Sequence, residues 1–237
     1  MQNKYLYGPI LSRRLGRSLG VNLTPGKTCS LDCVYCERGK TTNLTRERKE
    51  YFPTWEVIKE LEDFLGKNPG LDFVTFSGLG EPSMHSGIGE IIRFLKERFP
   101  QYKVAVITNS TFLNEPGVID DIKQADLIIP SLDAVSEYAF SAINRPHPDL
   151  HSKDVIAGIR KLRESFSGEI WLEIFIVPGV NDTPEELNLF KKVLNTFNIK
   201  KIQLNSLDRP GAVDWIKPVE KEHLKKIALS LGDVEIV

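Results

Sequence analysis

Thr28-Cys-Ser-Leu-Asp-Cys-Val-Tyr-Cys-Glu37 holds every cysteine of a 237-residue chain: Cys29, Cys33 and Cys36. Thiolates suit soft metals, zinc and iron–sulfur clusters. A closed zinc site, or a cubane cluster held wholly by protein, wants four ligands and commonly four cysteines. No fourth cysteine exists. Three thiolates on a four-iron cluster leave one iron open, and an open metal position can bind and activate a small molecule. Other readings fit less well. Cysteines are often plain core fillers, but Ser30, Asp32 and Glu37 make this stretch too polar for a core. A disulfide with one spare thiol belongs to secreted chains, and nothing marks this one as secreted. A Cys3His zinc site would need His85, His147, His151 or His223, all far downstream of the spacing usual in zinc modules.

Working outward, the residues just before the cysteines decide the fold class. In Ser18 to Leu23 the apolar Leu19, Val21 and Leu23 alternate, which predicts a short strand. Thr24-Pro25-Gly26 ends it, and the cysteine loop follows directly. A strand emptying into a metal loop is the geometry expected at the C-terminal rim of an α/β barrel. After a polar stretch a helix is expected, with Thr54 as N-cap and Val57, Ile58, Leu61, Phe64 and Leu65 on one face.

Strand and helix then alternate. Strands are expected at 73–76, 104–107, 127–129, 170–177 and 202–204, with a last short one at 234–236. Helices are expected from Ile88 to Phe99, 116–123, 135–142, 152–165 and 218–231, and another opening at Thr183-Pro-Glu-Glu186, a capping box with proline at the first helical position. Alternation of this kind means a parallel sheet with right-handed crossovers. The count is about six β/α units, short of the eight of a closed barrel. The expected fold is therefore α/β, an open, partial (β/α)6 TIM-like barrel. No linker, repeat or low-complexity tract divides the chain, so residues 1–237 read as one domain, with 1–17 as an N-terminal extension.

Net charge is −1, which gives no general argument for nucleic acid or membrane. The first ten residues lack the apolar core of a signal peptide, and no apolar run approaches the ~20 residues that span a bilayer. A soluble, reducing, cytoplasmic setting is the expectation, with no membrane partner.

Polar and small residues gather at the strand ends: Gly78-Leu-Gly-Glu-Pro82, Asn109, Ser131-Leu-Asp133, Asn181-Asp182 and Leu207. Parallel α/β folds build their sites there. The spacing Cys-x3-Cys-x2-Cys, with Tyr35 before the last cysteine, resembles the signature of the radical S-adenosylmethionine superfamily. Gly78-Leu79-Gly80-Glu81-Pro82 resembles that superfamily's glycine-rich motif, which contacts the methionine amino group. Leu79 departs from the motif. The resemblance implies a [4Fe–4S] cluster on Cys29, Cys33 and Cys36, whose open iron holds S-adenosylmethionine. One electron from a donor of flavodoxin or ferredoxin type then cleaves S-adenosylmethionine to methionine and a 5′-deoxyadenosyl radical, which abstracts hydrogen from a substrate. It also implies cofactor contacts at Tyr35, Gly78, Gly80, Glu81, Asn109, Ser131, Asp133, Asn181 and Leu207.

Ser12-Arg-Arg-Leu-Gly16, Asn144-Arg-Pro146 and Asn205-Ser-Leu-Asp-Arg-Pro210 resemble iron–sulfur oxidoreductases related to wyosine-base synthases, which act on transfer RNA. The extra cysteines of archaeal wyosine synthases and the flavodoxin-like domain of eukaryotic ones are absent from these residues. This resemblance implies a nucleoside or an RNA base as substrate. Arg13, Arg14 and Arg145 are the expected substrate cations, since arginine favours bidentate contact with phosphate or carboxylate. Two alternatives stay open: an activase that installs a radical on a partner protein, and an iron–sulfur or zinc module without turnover.

Overall fold

A computed structural model describes residues 4–232 and 234–237. The strands are β1 (Leu6–Ser12), β2 (Gly16–Val21), β3 (Thr28–Cys29), β4 (Asn43–Leu44), β5 (Phe73–Phe76), β6 (Lys103–Thr108), β7 (Leu127–Pro130), β8 (Glu169–Phe175), β9 (Lys201–Asn205) and β10 (Glu235–Ile236). The helices are α1 (Thr54–Leu65), α2 (Ile88–Arg98), α3 (Val118–Ile122), α4 (Glu137–Asn144), α5 (Ser152–Ser165), α6 (Pro184–Phe197) and α7 (Lys221–Leu231).

The main sheet runs β1-β2-β5-β6-β7-β8-β9-β10. Every pair is parallel except β1 with β2. The six expected units are therefore present. The stretch 1–17 does more than precede them, because Leu6–Ser12 forms an antiparallel edge strand, with Leu6 opposite Val21 and Ser12 opposite Gly16.

The sheet curls. Arg14, in the turn between the first two strands, forms an ion pair with Glu173 on β8 and lies 3.4 Å from Gln203 on β9. Flat strands four places apart would stand about 19 Å from one another at the usual spacing. Curvature brings the hairpin turn under the far strands, and Leu15 fills the space between Ala105, Leu127 and Ile129. On β8, Ile170, Leu172 and Ile174 join the core beneath the helices, while Trp171, Glu173 and Phe175 face the inside of the curl.

Local capping departs from expectation at two helices. Pro53, not Thr54, stands at the N-cap of α1, and the Thr54 amide donates to the Glu50 carboxylate at 2.8 Å. At α6 the Thr183 hydroxyl does accept from the Glu186 amide, at 3.2 Å. The Glu186 side chain turns away from the box and accepts from the amides of Val135 and Ser136, at 2.6 and 3.0 Å. A tertiary demand there outbids the local cap.

Candidate active site

The cysteine loop leaves β2 at the carboxyl end of the sheet. Its chain closes on itself. The Thr41 amide donates to Asp32 Oδ1 at 2.6 Å, and Lys27 Nζ donates to the Gly39 carbonyl. Two other elements clamp it. At the end of α4 the carbonyls of Asn144 and Ile143 accept from the amides of Asp32 and Val34, each at 2.9 Å. These are carbonyls that a helix terminus leaves without internal partners. From the other side comes the glycine-rich loop. The Glu81 amide donates to the Thr28 carbonyl at 3.3 Å, and a Cβ on Gly80 would overlap that same oxygen. Only glycine allows this approach.

All three cysteines are free thiols and half-buried. Burial, then the charge of Glu81, pushes the Cys29 thiol up to about 12, and burial raises Cys33 well above the ordinary range. A metal bound here must displace those protons. Two side-chain amides point at the sulfurs: Asn109 Nδ2 lies 3.3 Å from Cys29 Sγ, and Asn144 Nδ2 lies 3.3 Å from Cys33 Sγ. Three thiolates in one loop, with no fourth cysteine in the chain, are a donor set that would suit an iron–sulfur cluster with one iron left open.

Glu81 is almost fully buried. Its Oε1 accepts from the Ser83 amide and hydroxyl and from Thr108 Oγ1, at 3.0, 2.6 and 2.7 Å, and its Oε2 accepts from the Asn109 amide at 2.7 Å. Burial raises its carboxyl, and these hydrogen bonds pull it part of the way back. The carboxylate therefore ties the glycine-rich loop to the end of β6.

Asp133 is also spent internally. Its Oδ2 accepts from Tyr35 Oη at 2.5 Å and Asn144 Nδ2 at 2.8 Å, and its Oδ1 accepts from the Phe175 amide at 3.0 Å. Burial pushes its carboxyl up to about 6 in spite of these donors. Asn181 is fully buried and locks the turn after β8. Its amide donates to the carbonyls of Asp133 and Phe175, at 2.8 and 2.7 Å, and its Oδ1 accepts from the Val177 amide. Tyr35 lies among Val34, Phe175, Ile143 and Leu207 in an apolar cluster beneath the loop. Ser131 is half-buried beside Glu173.

Of the expected site residues, Tyr35, Gly78, Gly80, Glu81, Asn109, Ser131, Asp133, Asn181 and Leu207 stand at strand ends or in the loop that carries the cysteines. The arginines divide. Arg14 is occupied by Glu173, so it is a structural counter-ion and not a group free for substrate. Arg13 is largely exposed, 3.9 Å from Asp208. Arg145 is exposed and lines a pocket of about 700 Å³ with Asp32, Glu137, His147 and His151. Asn144 and Phe175 are additions. Asn144 lies in the Asn-Arg-Pro stretch, but one partner of its side-chain amide, Cys33, is 111 residues away, while the other, Asp133, is 11 residues away. Phe175 could be placed only by strand alternation on β8.

Residues 23–190 match the model of the radical SAM superfamily. The chain belongs to the radical SAM superfamily. It is a radical SAM enzyme, and the family works with a [4Fe–4S] cluster, S-adenosylmethionine and a reductant. The chain is 35% identical over 230 residues to a UPF0026 protein of Methanocaldococcus jannaschii, covering 96% of this chain and 71% of that one. It is 34% identical over 226 residues to a protein of Brachyspira hyodysenteriae named GTPase Obg, covering 95% of this chain. The radical SAM chain spans only 33% of that relative's length. In three dimensions it is similar to TYW1 solved with a lysine–pyruvate adduct, with a TM-score of 0.69 at 14% identity over 91% of this chain and 72% of that one. That likeness bears out the open α/β barrel. No helix among the described residues is long and apolar enough to cross a membrane.

Proposed function

We propose that this radical SAM enzyme holds its cluster on Cys29, Cys33 and Cys36 and binds S-adenosylmethionine across the rim between the cysteine loop and the Gly78–Pro82 loop. The observation that carries this reading is the direct contact of those two loops, at Gly80 and Glu81 on the Thr28 carbonyl. Held by Cys29, Cys33 and Cys36, the cluster would supply one-electron reductive cleavage of S-adenosylmethionine, with the electron from a flavodoxin- or ferredoxin-type donor.

The chain's own residues bind and orient. Gly78 and Gly80 leave backbone groups open toward the methionine end. Glu81 acts through the loop that it fastens. Tyr35 and Leu207 give an apolar wall for the adenosine, and Ser131 offers a hydroxyl. Asp133 and Asn181 hold Tyr35 and Phe175 in place. The apolar cluster beneath the loop excludes water.

A nucleoside, free or within RNA, is the substrate class proposed. Arg145 and Arg13 on the exposed rim support an anionic group on it. RNA affinity should fall steeply with salt, and Arg13→Ala and Arg145→Ala should flatten that slope. No RNA binding at low salt would leave a small anionic metabolite or a peptide.

The deciding experiment is anaerobic reconstitution followed by reduction with S-adenosylmethionine. About four irons per chain and release of methionine with 5′-deoxyadenosine are expected. Cysteine-to-alanine variants at 29, 33 or 36 should abolish both. Tight zinc with no visible absorbance, or iron without cleavage, would overturn the reading.

A further inference from the structure

Two asparagines from distant parts of the chain aim at two of the three cysteine sulfurs. Asn109 follows β6, and Asn144 ends α4. Each Nδ2 lies 3.3 Å from its sulfur. That distance is a hydrogen bond to sulfur only if nitrogen, not oxygen, faces it, and the surrounding network decides this. Asn109 Oδ1 accepts from the Thr111 amide and hydroxyl, at 3.1 and 2.7 Å, which leaves Nδ2 for Cys29 and for Ser30 Oγ at 3.1 Å. Asn144 Nδ2 donates to the Asp133 carboxylate at 2.8 Å, and an ionised carboxylate only accepts. Asn144 Oδ1 is buried and has no hydrogen-bond partner among the described residues. Burying a polar atom unpaired is costly. The amide keeps this orientation because its other end meets both Asp133 and Cys33. No side-chain amide reaches Cys36 among the described residues.

We propose that Asn109 and Asn144 are positioning residues that raise the reduction potential of the cluster by donating N–H···S hydrogen bonds to Cys29 and Cys33. This rests on the reading that the three cysteines hold the cluster. An N–H dipole aimed at a ligand sulfur stabilises negative charge there. The reduced cluster carries one more negative charge than the oxidised one, so the bond strengthens on reduction. Hydrogen bonds to the sulfurs are among the factors that set such potentials. Asp133 and Thr111 hold the two amides in register, so the donors are in place before reduction.

The test uses reconstituted wild-type enzyme, Asn109→Ala, Asn144→Ala and the double variant, without S-adenosylmethionine. Reduced cluster is followed by electron paramagnetic resonance during a redox titration, and iron per chain is measured alongside. At the wild-type midpoint, the ratio of reduced to oxidised cluster should fall about three- to tenfold for each lost bond, the factor one ordinary hydrogen bond supplies. A tenfold fall is a shift of about 59 mV for a one-electron couple. The double variant should fall further. Midpoints equal to wild type, with iron content kept, would overturn the proposal. Should a variant fail to load iron, wild type labelled with 15N-asparagine carries the test. Pulsed resonance should show 15N coupled to the reduced cluster, and no coupling would overturn the proposal. No cluster in wild type would instead overturn the function proposed above.

Discussion

The Tyr35 ring stacks on Phe175, with centroids 3.9 Å apart and planes 11° from parallel, while its hydroxyl donates to Asp133. One residue of the cysteine loop is thus tied to the end of β8 by its face and to the end of β7 by its tip. Tyr35→Phe keeps the stack and removes the hydroxyl. At pH 8, where Asp133 is ionised, urea unfolding of the metal-free chain should show a loss of about 1.5–3 kcal/mol, the range for a hydrogen bond to a charged group. Burial holds the Asp133 carboxyl at about 6, above its ordinary 3.8. The protonated form therefore favours folding: this contribution is full below about pH 4 and declines as pH rises through about 6. Loss equal at pH 5 and pH 8 would mean the hydroxyl is not serving the carboxylate.

Gly80→Ala tests the contact between the two loops. The new methyl would overlap the Thr28 carbonyl, a backbone atom that cannot turn aside. A destabilisation of about 1–3 kcal/mol is expected in thermal unfolding, with loss of iron uptake. Gly39→Ala is the comparison. Its φ is +79°, but nothing lies within 4 Å of the added carbon, so only the backbone cost of about 1–2 kcal/mol applies and iron should load. Equal iron uptake by the two variants would detach Gly80 from the site.

Arg14→Ala should cost about 3–5 kcal/mol, because it strands Glu173 inside the curl of the sheet. The Arg14 and Glu173 side chains keep only 17% and 13% of their surface in contact with solvent. Arg14→Met with Glu173→Leu should recover most of that loss, since no unpaired charge remains. Failure of the pair to recover, in chemical denaturation at neutral pH, would mean the ion pair itself specifies the hairpin's position.

His85 predicts acid sensitivity away from the cysteines. Its ring is fully buried. Nε2 bonds the Phe52 carbonyl at 2.8 Å, and Nδ1 accepts from the Gly87 amide at 3.0 Å, so the neutral ring is the one that fits. Burial lowers its pKa below 6.5. A depressed histidine contributes stability above its unfolded value, and that contribution is lost as pH falls below about 6.5. Melting of wild type should drop between pH 7.5 and pH 5.5 more steeply than that of His85→Gln. Parallel curves would assign the acid sensitivity elsewhere.

The sequence by itself determined the three-cysteine loop, its place after the first parallel strand, the six β/α units and the Thr183 cap. Each is a local pattern: spacing of thiols, alternation, helical periodicity, a proline after a hydroxyl. It also placed Glu81, Asp133 and Asn181 at the strand ends. Only the tertiary structure decided what those side chains touch. Glu81 and Asp133 look like open acids in sequence, yet both are filled by donors from β6, α4 and β8, because buried carboxylates must find partners. Arg14 looks like a free cation until curvature of the sheet brings Glu173 within reach. Asn144 sits 111 residues from Cys33, and no local pattern relates them. Hydrogen bonds across such separations depend on how strands twist and helices dock, and that information is carried by the whole chain at once.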